Sequence, residues 1–113
     1  MSDCLFCRIA GGELEASVVA EGDDWIAIRD IEPKAPTHVL VIPREHVPTV
    51  NDLGPEHEAL VGKLFRAAAE IAGREGIAEP GYRLTVNCNA EGGQSVFHVH
   101  LHLLGGRRMG PMG

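Results

Sequence analysis

The stretch QSVFHVHLHLL, residues 94–104, sets His98, His100 and His102 at every second position, with apolar residues between and after them. Successive side chains of a β-strand point to opposite faces. The alternation therefore predicts a strand with the three imidazoles on one face and Phe97, Val99, Leu101 and Leu103 on the other. Two residue rises of about 3.3 Å put neighbouring imidazole roots roughly 6–7 Å apart, near enough to share one ligand. The chain has only six histidines, and half of them stand in this row. The apolar side needs a helix to cover it, and the imidazole side must face a groove or a partner.

The segments around the row supply the rest of a sheet. AEGGQS (90–95) reads as a glycine-rich loop and YRLTVNCN (82–89) as the strand before it. The last strand is expected over 96–106, ended by two glycines. Upstream the period changes: Leu60, Val61, Leu64, Phe65, Ala68, Ile71 and Ala72 follow the spacing of an amphipathic helix over about 55–75. Pro55 suits its first turn, Glu56 and Glu58 suit the positive end of its dipole, and Gly76 suits its stop. THVLVIP (37–43) is a strand closed by Pro43, preceded by the Pro-punctuated loop IEPKAP (31–36) and followed by the connector 44–54. VVAE (18–21) and WIAIRD (25–30) form a hairpin around EGDD. A short helical turn is expected at Phe6–Ile9, and the tail RRMGPMG has no periodicity. The expected fold is α+β: a five-stranded, mostly antiparallel sheet with one main helix and a short N-terminal helix, in a single domain over 1–113.

At 113 residues the chain can bury one hydrophobic core. It has no apolar run of about 20 residues, so no membrane span is expected. The N-terminus lacks the basic-then-apolar pattern of a signal peptide, so the expected location is the cytoplasm. A net charge of −6 argues against a nucleic-acid partner, which needs a basic footprint. It does not argue against a small phosphorylated ligand, which backbone N–H groups and imidazoles can hold. Three cysteines, Cys4, Cys7 and Cys88, do not suggest a disulfide framework in a cytosolic chain. The pair CLFC (4–7) reads as half a zinc site or as a redox motif.

Three readings compete for the histidine row. It is the polar face of a half-exposed strand, a metal triad, or a catalytic set. A neutral imidazole whose far nitrogen donates to an acceptor presents a free lone pair that can attack phosphorus. A second imidazole can protonate the leaving group. GGQS lies just upstream and offers loop N–H groups and the Ser95 hydroxyl to an anion, which fits phosphoryl chemistry better than a bare metal triad.

GGQSVFHVHLHLLGGR resembles the signature of the histidine triad (HIT) family, and its GQS resembles the Hint-type branch. CLFCRIAGGEL, DIEPKAPTHVLVIPREH and GYRLTVNCNAEGGQS match in the same order, so the resemblance runs nearly end to end. It implies a homodimer that binds purine nucleotides. It also implies hydrolysis of a nucleoside monophosphate from a leaving group, typically of a phosphoramidate, through a nucleotidyl-histidine intermediate. On this resemblance His100 is the nucleophile, His102 assists the leaving atom, and His38 supports the nucleophile, while His98 has the least direct catalytic duty. Asn87, Gly93, Gln94 and Ser95 match the phosphate-side positions. Asp30 matches the carboxylate that accepts the ribose hydroxyls, and Phe6, Ile9, Ile28, Ile31 and Leu40 match the apolar slot for the base. Read without the resemblance, each of those five is ordinary core. The chain departs from the Hint-type pattern at its end: many members carry a tail Trp that reaches the partner's site, and here the only Trp is Trp25.

On zinc-site logic the C-x-x-C pair needs two further ligands. His46 is the unassigned candidate for the third and His98 for the fourth, a set that many bacterial members of the family resemble. No thioredoxin-like βαβ pattern follows the motif, which favours a structural zinc on Cys4, Cys7, His46 and His98 over redox chemistry. Cys88 is expected to be a small buried filler and His57 a solvated surface residue.

The leading reading is a hydrolase of purine nucleoside phosphoramidates. The alternatives are a dinucleoside polyphosphate hydrolase or phosphorylase on the same site, and a nucleotide-binding interaction protein with incidental turnover. A two-fold homodimer is expected from the helix at about 55–75 and the strand at 82–88, with Ala67, Ala68 and Ala69 beside Phe65 permitting close helix approach.

Overall fold

All seven residues of Thr37–Pro43 are buried, because this strand lies at the centre of the sheet with both faces covered. The computed structural model describes residues 3–113. In chain order the elements are α1 (Leu5–Ala10), β1 (Val18–Glu21), β2 (Trp25–Arg29), β3 (Thr37–Pro43), α2 (Glu58–Arg74), β4 (Tyr82–Thr85) and β5 (Leu101–Gly105). The five strands form one sheet in the order β1-β2-β3-β5-β4, and every neighbouring pair is antiparallel. This is the expected α+β architecture.

Strand alternation sorts the side chains into two layers. Ala27, Val39, Val41, Leu101 and Leu103 form one core with Leu64, Ala67, Ala68, Ile71 and Ala72 of α2. On the other face Ile26, Ile28, Leu40 and Ile42 pack with Phe6 of α1. His38 on β3 and His102 on β5 occupy this second face, and Leu40 stands opposite His102 in the register. The helix-facing side of the sheet thus holds the fold, and the α1 side holds the imidazoles.

Several local expectations are corrected. The last strand begins at Leu101, five residues later than predicted. Residues 96–100 bend instead, with Val99 N–H donating to the Val47 carbonyl and His98 N–H to the Val96 carbonyl. The bend leaves Phe97 half exposed rather than in the core. It also turns His98 fully inward, so the imidazole row is not one outward face. β2 and β4 stop at Arg29 and Thr85, shorter than the predicted 25–30 and 82–89. Pro55–His57 forms a 3-10 turn, and α2 proper starts at Glu58. Gly76 ends the helix with φ +75, a left-handed conformation that suits glycine.

His57 is buried rather than solvated: its Nδ1 accepts from Gly54 N–H and its Nε2 lies 2.9 Å from Glu45 Oε2. The connector 44–54 folds back over it. Cys88 is half exposed, because the strand that would have buried it ends three residues earlier. Ala67 and Ala68 face the chain's own sheet, so they cannot provide a close contact with another helix. Ala69 and Phe65 lie on the outer face. Among the described residues no helix is long and apolar enough to cross a membrane.

Candidate active site and metal centre

Two clefts meet on the α1 face of the sheet. The larger, about 390 Å³, is walled by Phe6, Ile9, Ile28, Ile31 and Leu40. The second, about 340 Å³, is lined by Lys34, His38, Thr85, Asn87, Gly93 and Leu104. Asp30, Ser95, His100 and His102 line both, and so stand where an apolar slot joins a polar one. All five slot residues named from the sequence are on the apolar side, with Ile31 at the rim, 93% exposed. Asn87, Gly93 and Ser95 are on the polar side. Gln94 lines neither cleft. Its buried amide accepts from Asn89 N–H and donates to the Pro48 and Val96 carbonyls, bracing the glycine loop from behind. Gly93 has φ +80, the left-handed geometry that a side chain would strain.

Backbone partners fix the ring tautomers, because an N–H must find an acceptor and a lone pair a donor. His100 Nδ1 lies 2.8 Å from the His98 carbonyl oxygen, so Nδ1 carries the proton and Nε2 keeps its lone pair. Lys34 N–H donates to His38 Nδ1 at 3.1 Å, so His38 carries its proton on Nε2. That nitrogen lies 2.9 Å from His102 Nδ1 and 3.4 Å from Asp30 Oδ2. His102 therefore accepts at Nδ1 and holds its own proton at Nε2, a buried atom with no hydrogen-bond partner among the described residues. The His100 and His102 rings are 4.8 Å apart. One ring offers a lone pair and the other an N–H at the junction of two clefts, the complement needed for nucleophilic displacement with proton transfer.

Burial keeps these rings neutral. It pushes His100 below the usual imidazole range, against the opposing hydrogen bond to the His98 carbonyl and the Asp30 charge. Burial also lowers His38, with Asp30 opposing and Lys34 assisting. His102 falls to about 4, through burial first and then the neighbouring His100 and His38.

A second cluster lies on the other side of Phe6. Cys4 Sγ is 3.2 Å and Cys7 Sγ 3.5 Å from His98 Nδ1. His46 Nδ1 is 3.3 Å from Cys7 Sγ and 3.2 Å from His98 Nδ1. The four candidate ligand atoms all lie within 4.8 Å of one another. Tetrahedral bonds of about 2.3 Å to sulfur and about 2.0 Å to nitrogen need ligand atoms roughly 3.3–3.8 Å apart, which these spacings approach. His98 Nε2 lies 2.7 Å from the Pro43 carbonyl, so its proton sits there and the Nδ1 lone pair points into the cluster. An orienting carbonyl behind a ligand imidazole is the usual support of a metal site. The set can hold a metal ion. A second trio, Asp30, His38 and His102, also has ligand atoms within reach of one another. There His38 Nε2 is already hydrogen-bonded to His102 Nδ1 and lies 3.4 Å from Asp30 Oδ2.

Sequence reasoning missed Lys34, whose peptide N–H sets the His38 tautomer, and Thr85 and Leu104 in the polar cleft. A backbone donor leaves no residue-type signal, so the Lys34 contact had none to find.

Fold and site together define a class: an antiparallel α+β protein whose paired, tautomer-fixed imidazoles sit where an apolar slot meets a glycine-loop pocket. The HIT domain matches residues 11–109, and the chain belongs to the HIT family. It is 51% identical over 110 residues to the purine nucleoside phosphoramidase of Escherichia coli strain K12, covering 97% of this chain and 92% of that protein. The crystal structure of a HIT family hydrolase from Legionella pneumophila Philadelphia 1 superposes with a TM-score of 0.94 at 50% identity, covering 96% of each chain. A zinc-bound histidine triad family protein from Mycobacterium smegmatis superposes with a TM-score of 0.78 at 33% identity, covering 97% of this chain and 78% of that one.

Proposed function

We propose that this protein hydrolyses purine nucleoside 5'-phosphoramidates through a nucleotidyl intermediate on His100. The observation that carries the reading is the His100 ring, with its Nδ1 proton on the His98 carbonyl and its Nε2 lone pair at the junction of the two clefts. The 51% identity to a purine nucleoside phosphoramidase supports the substrate class. In the reaction His100 Nε2 bonds to phosphorus as the P–N bond to the leaving amine breaks. His102, taken to its imidazolium form as the negatively charged substrate binds, gives the amine a proton from Nε2 and returns to the neutral ring. Water then attacks phosphorus, His100 leaves, and the water's proton returns to His102. The negative phosphate raises the proton affinity of His102 from its low value in the free protein. The base lies in the slot of Phe6, Ile9, Ile28, Ile31 and Leu40, and the ribose hydroxyls donate to Asp30. Loop N–H groups near Gly93, with Ser95 and Asn87, hold the phosphate and stabilise its developing charge.

The chain's further partners follow the same reading. Zinc is the metal for Cys4, Cys7, His46 and His98, whose two sulfurs and two nitrogens suit it, and four ligands make the site structural. The protein works as a homodimer in the cytoplasm. Its edge strand β4 and the exposed Phe65 of α2 support a partner on that side.

The test compares rates on an adenosine phosphoramidate and on diadenosine tetraphosphate. Faster P–N cleavage is expected. A preference for the dinucleotide would replace this reading with the polyphosphate one, and failure to cleave either would leave a nucleotide-binding interaction protein.

A further inference from the structure

His98 belongs to both clusters at once. Its ring is held at both nitrogens, Nε2 on the Pro43 carbonyl and Nδ1 among Cys4, Cys7 and His46. Its own peptide carbonyl is the acceptor that fixes the His100 tautomer. Residues 96–100 are bent rather than paired in the sheet, so the peptide that carries this carbonyl is held outside the strand ladder, by Val99 N–H on the carbonyl of Val47, the residue next to His46. Phe6 is the second link. It lies between Cys4 and Cys7 in the chain, and its ring stands edge-on to His98 at 6.0 Å and to His100 at 4.9 Å. The helix that carries Phe6 has only six residues, too few to persist by itself. Arg44 ties its last residue through the Ala10 carbonyl, and the two thiols tie its start to the cluster.

We infer that Phe6 and His98 are positioning residues through which a metal in the four-ligand set holds His100 in its single Nδ1–H tautomer and keeps the wall of the apolar cleft in place. The inference deepens the proposed function, since it rests on His100 as the nucleophile. With the set filled, His98 cannot swing and α1 cannot lift. Once it is emptied, four crowded ligand groups separate, the His98 carbonyl drifts, and the His100 proton redistributes between its two nitrogens.

The experiment uses the full chain loaded with Zn²⁺, then emptied by a chelator, then reloaded. Long-range ¹H–¹⁵N spectra read the His100 tautomer, calorimetry reads AMP affinity, and circular dichroism reads the fold. The loaded protein should show one Nδ1–H tautomer. The emptied protein should show a mixture and bind AMP about fivefold or more weakly, and reloading should restore both. His46→Ala, which opens the set from its exposed side, should behave like the emptied protein. Phe6→Leu should give the mixed tautomer with the metal still bound in full, and this variant decides the matter if the emptied protein unfolds. A single Nδ1–H tautomer in the folded, emptied protein overturns the inference, and so does one in Phe6→Leu. If the loaded protein does not bind AMP, the nucleotide reading fails, while the tautomer spectra still decide the coupling.

Discussion

His98 and His100 stand two residues apart, are both buried, and touch the same phenylalanine, yet their rings serve opposite ends. In His98 a backbone carbonyl takes the Nε2 proton and leaves Nδ1 to the thiols. In His100 a backbone carbonyl takes the Nδ1 proton and leaves Nε2 to the cleft. The surroundings complete the contrast. Sulfurs and a second imidazole converge on His98, whereas Asp30, Ser95 and His102 surround the space before His100. The lesson is that the carbonyl chosen by a ring nitrogen separates a ligand from a nucleophile, although the residue type is the same.

Substitutions at the two positions should therefore fail differently. His100→Asn is expected to lower phosphoramidate turnover by about 10³-fold or more, with AMP binding and thermal stability retained, as steady-state rates, calorimetry and melting curves would record. His98→Asn should lose the metal and lower the melting temperature. If His98→Asn keeps both its metal and its stability, the contrast collapses.

His102→Ala should cost roughly 10²–10⁴-fold with an alkylamine leaving group, the usual range for a general acid. With a weakly basic leaving group, which needs no proton, the loss should shrink by an order of magnitude or more. An equal loss on both substrates would assign His102 to binding instead.

Breaking the cluster alone should act on stability. Cys4→Ser, or prolonged chelation of the native protein, is expected to lower the melting temperature, because four closed ligands contribute to folding. Metal analysis of protein purified without added zinc should give one ion per chain. Metal-free protein of undiminished stability would make the cluster a mere proximity of side chains.

The smallest expected effect is on pH dependence. His38 and His102 have folded pKa values below the ordinary imidazole value, the latter at about 4. Between about 4 and 6.5 the unfolded chain then binds more protons than the folded one, so stability rises with pH across that window. The stability is fully present above about 6.5 and declines as pH falls toward 4. Asp30, which faces both rings, opposes the shift, while His100 and Lys34 add to it. Melting curves should show less of this decline in His102→Ala. An identical pH profile in that variant would contradict the buried neutral ring.

The two regions were unequally legible in the sequence. The strands and the helix rest on β-branched runs and one period-3.6 run, plain in THVLVIP and in Leu64–Ala68–Ile71, whereas the strand order β1-β2-β3-β5-β4 comes from long-range pairing that no local pattern encodes. The C-x-x-C pair with two spare histidines pointed to the cluster that the fold brings together. What strict alternation could not reveal was the bend at 96–100, made by the contacts of Val99 and His98 with backbone atoms. That bend turns His98 into the thiols and exposes Phe97. His57 was misread for a related reason: its burial depends on Glu45 and Gly54 folding over it, and no local pattern encodes that contact.

Rapid quenching of the wild-type protein with a labelled adenosine phosphoramidate, followed by peptide mass analysis, tests the nucleophile most directly. The account predicts an adenylyl group on the peptide containing His100, placed on that side chain and absent in His100→Asn. An adduct on His98 or His102, or undiminished turnover by His100→Asn, would contradict it.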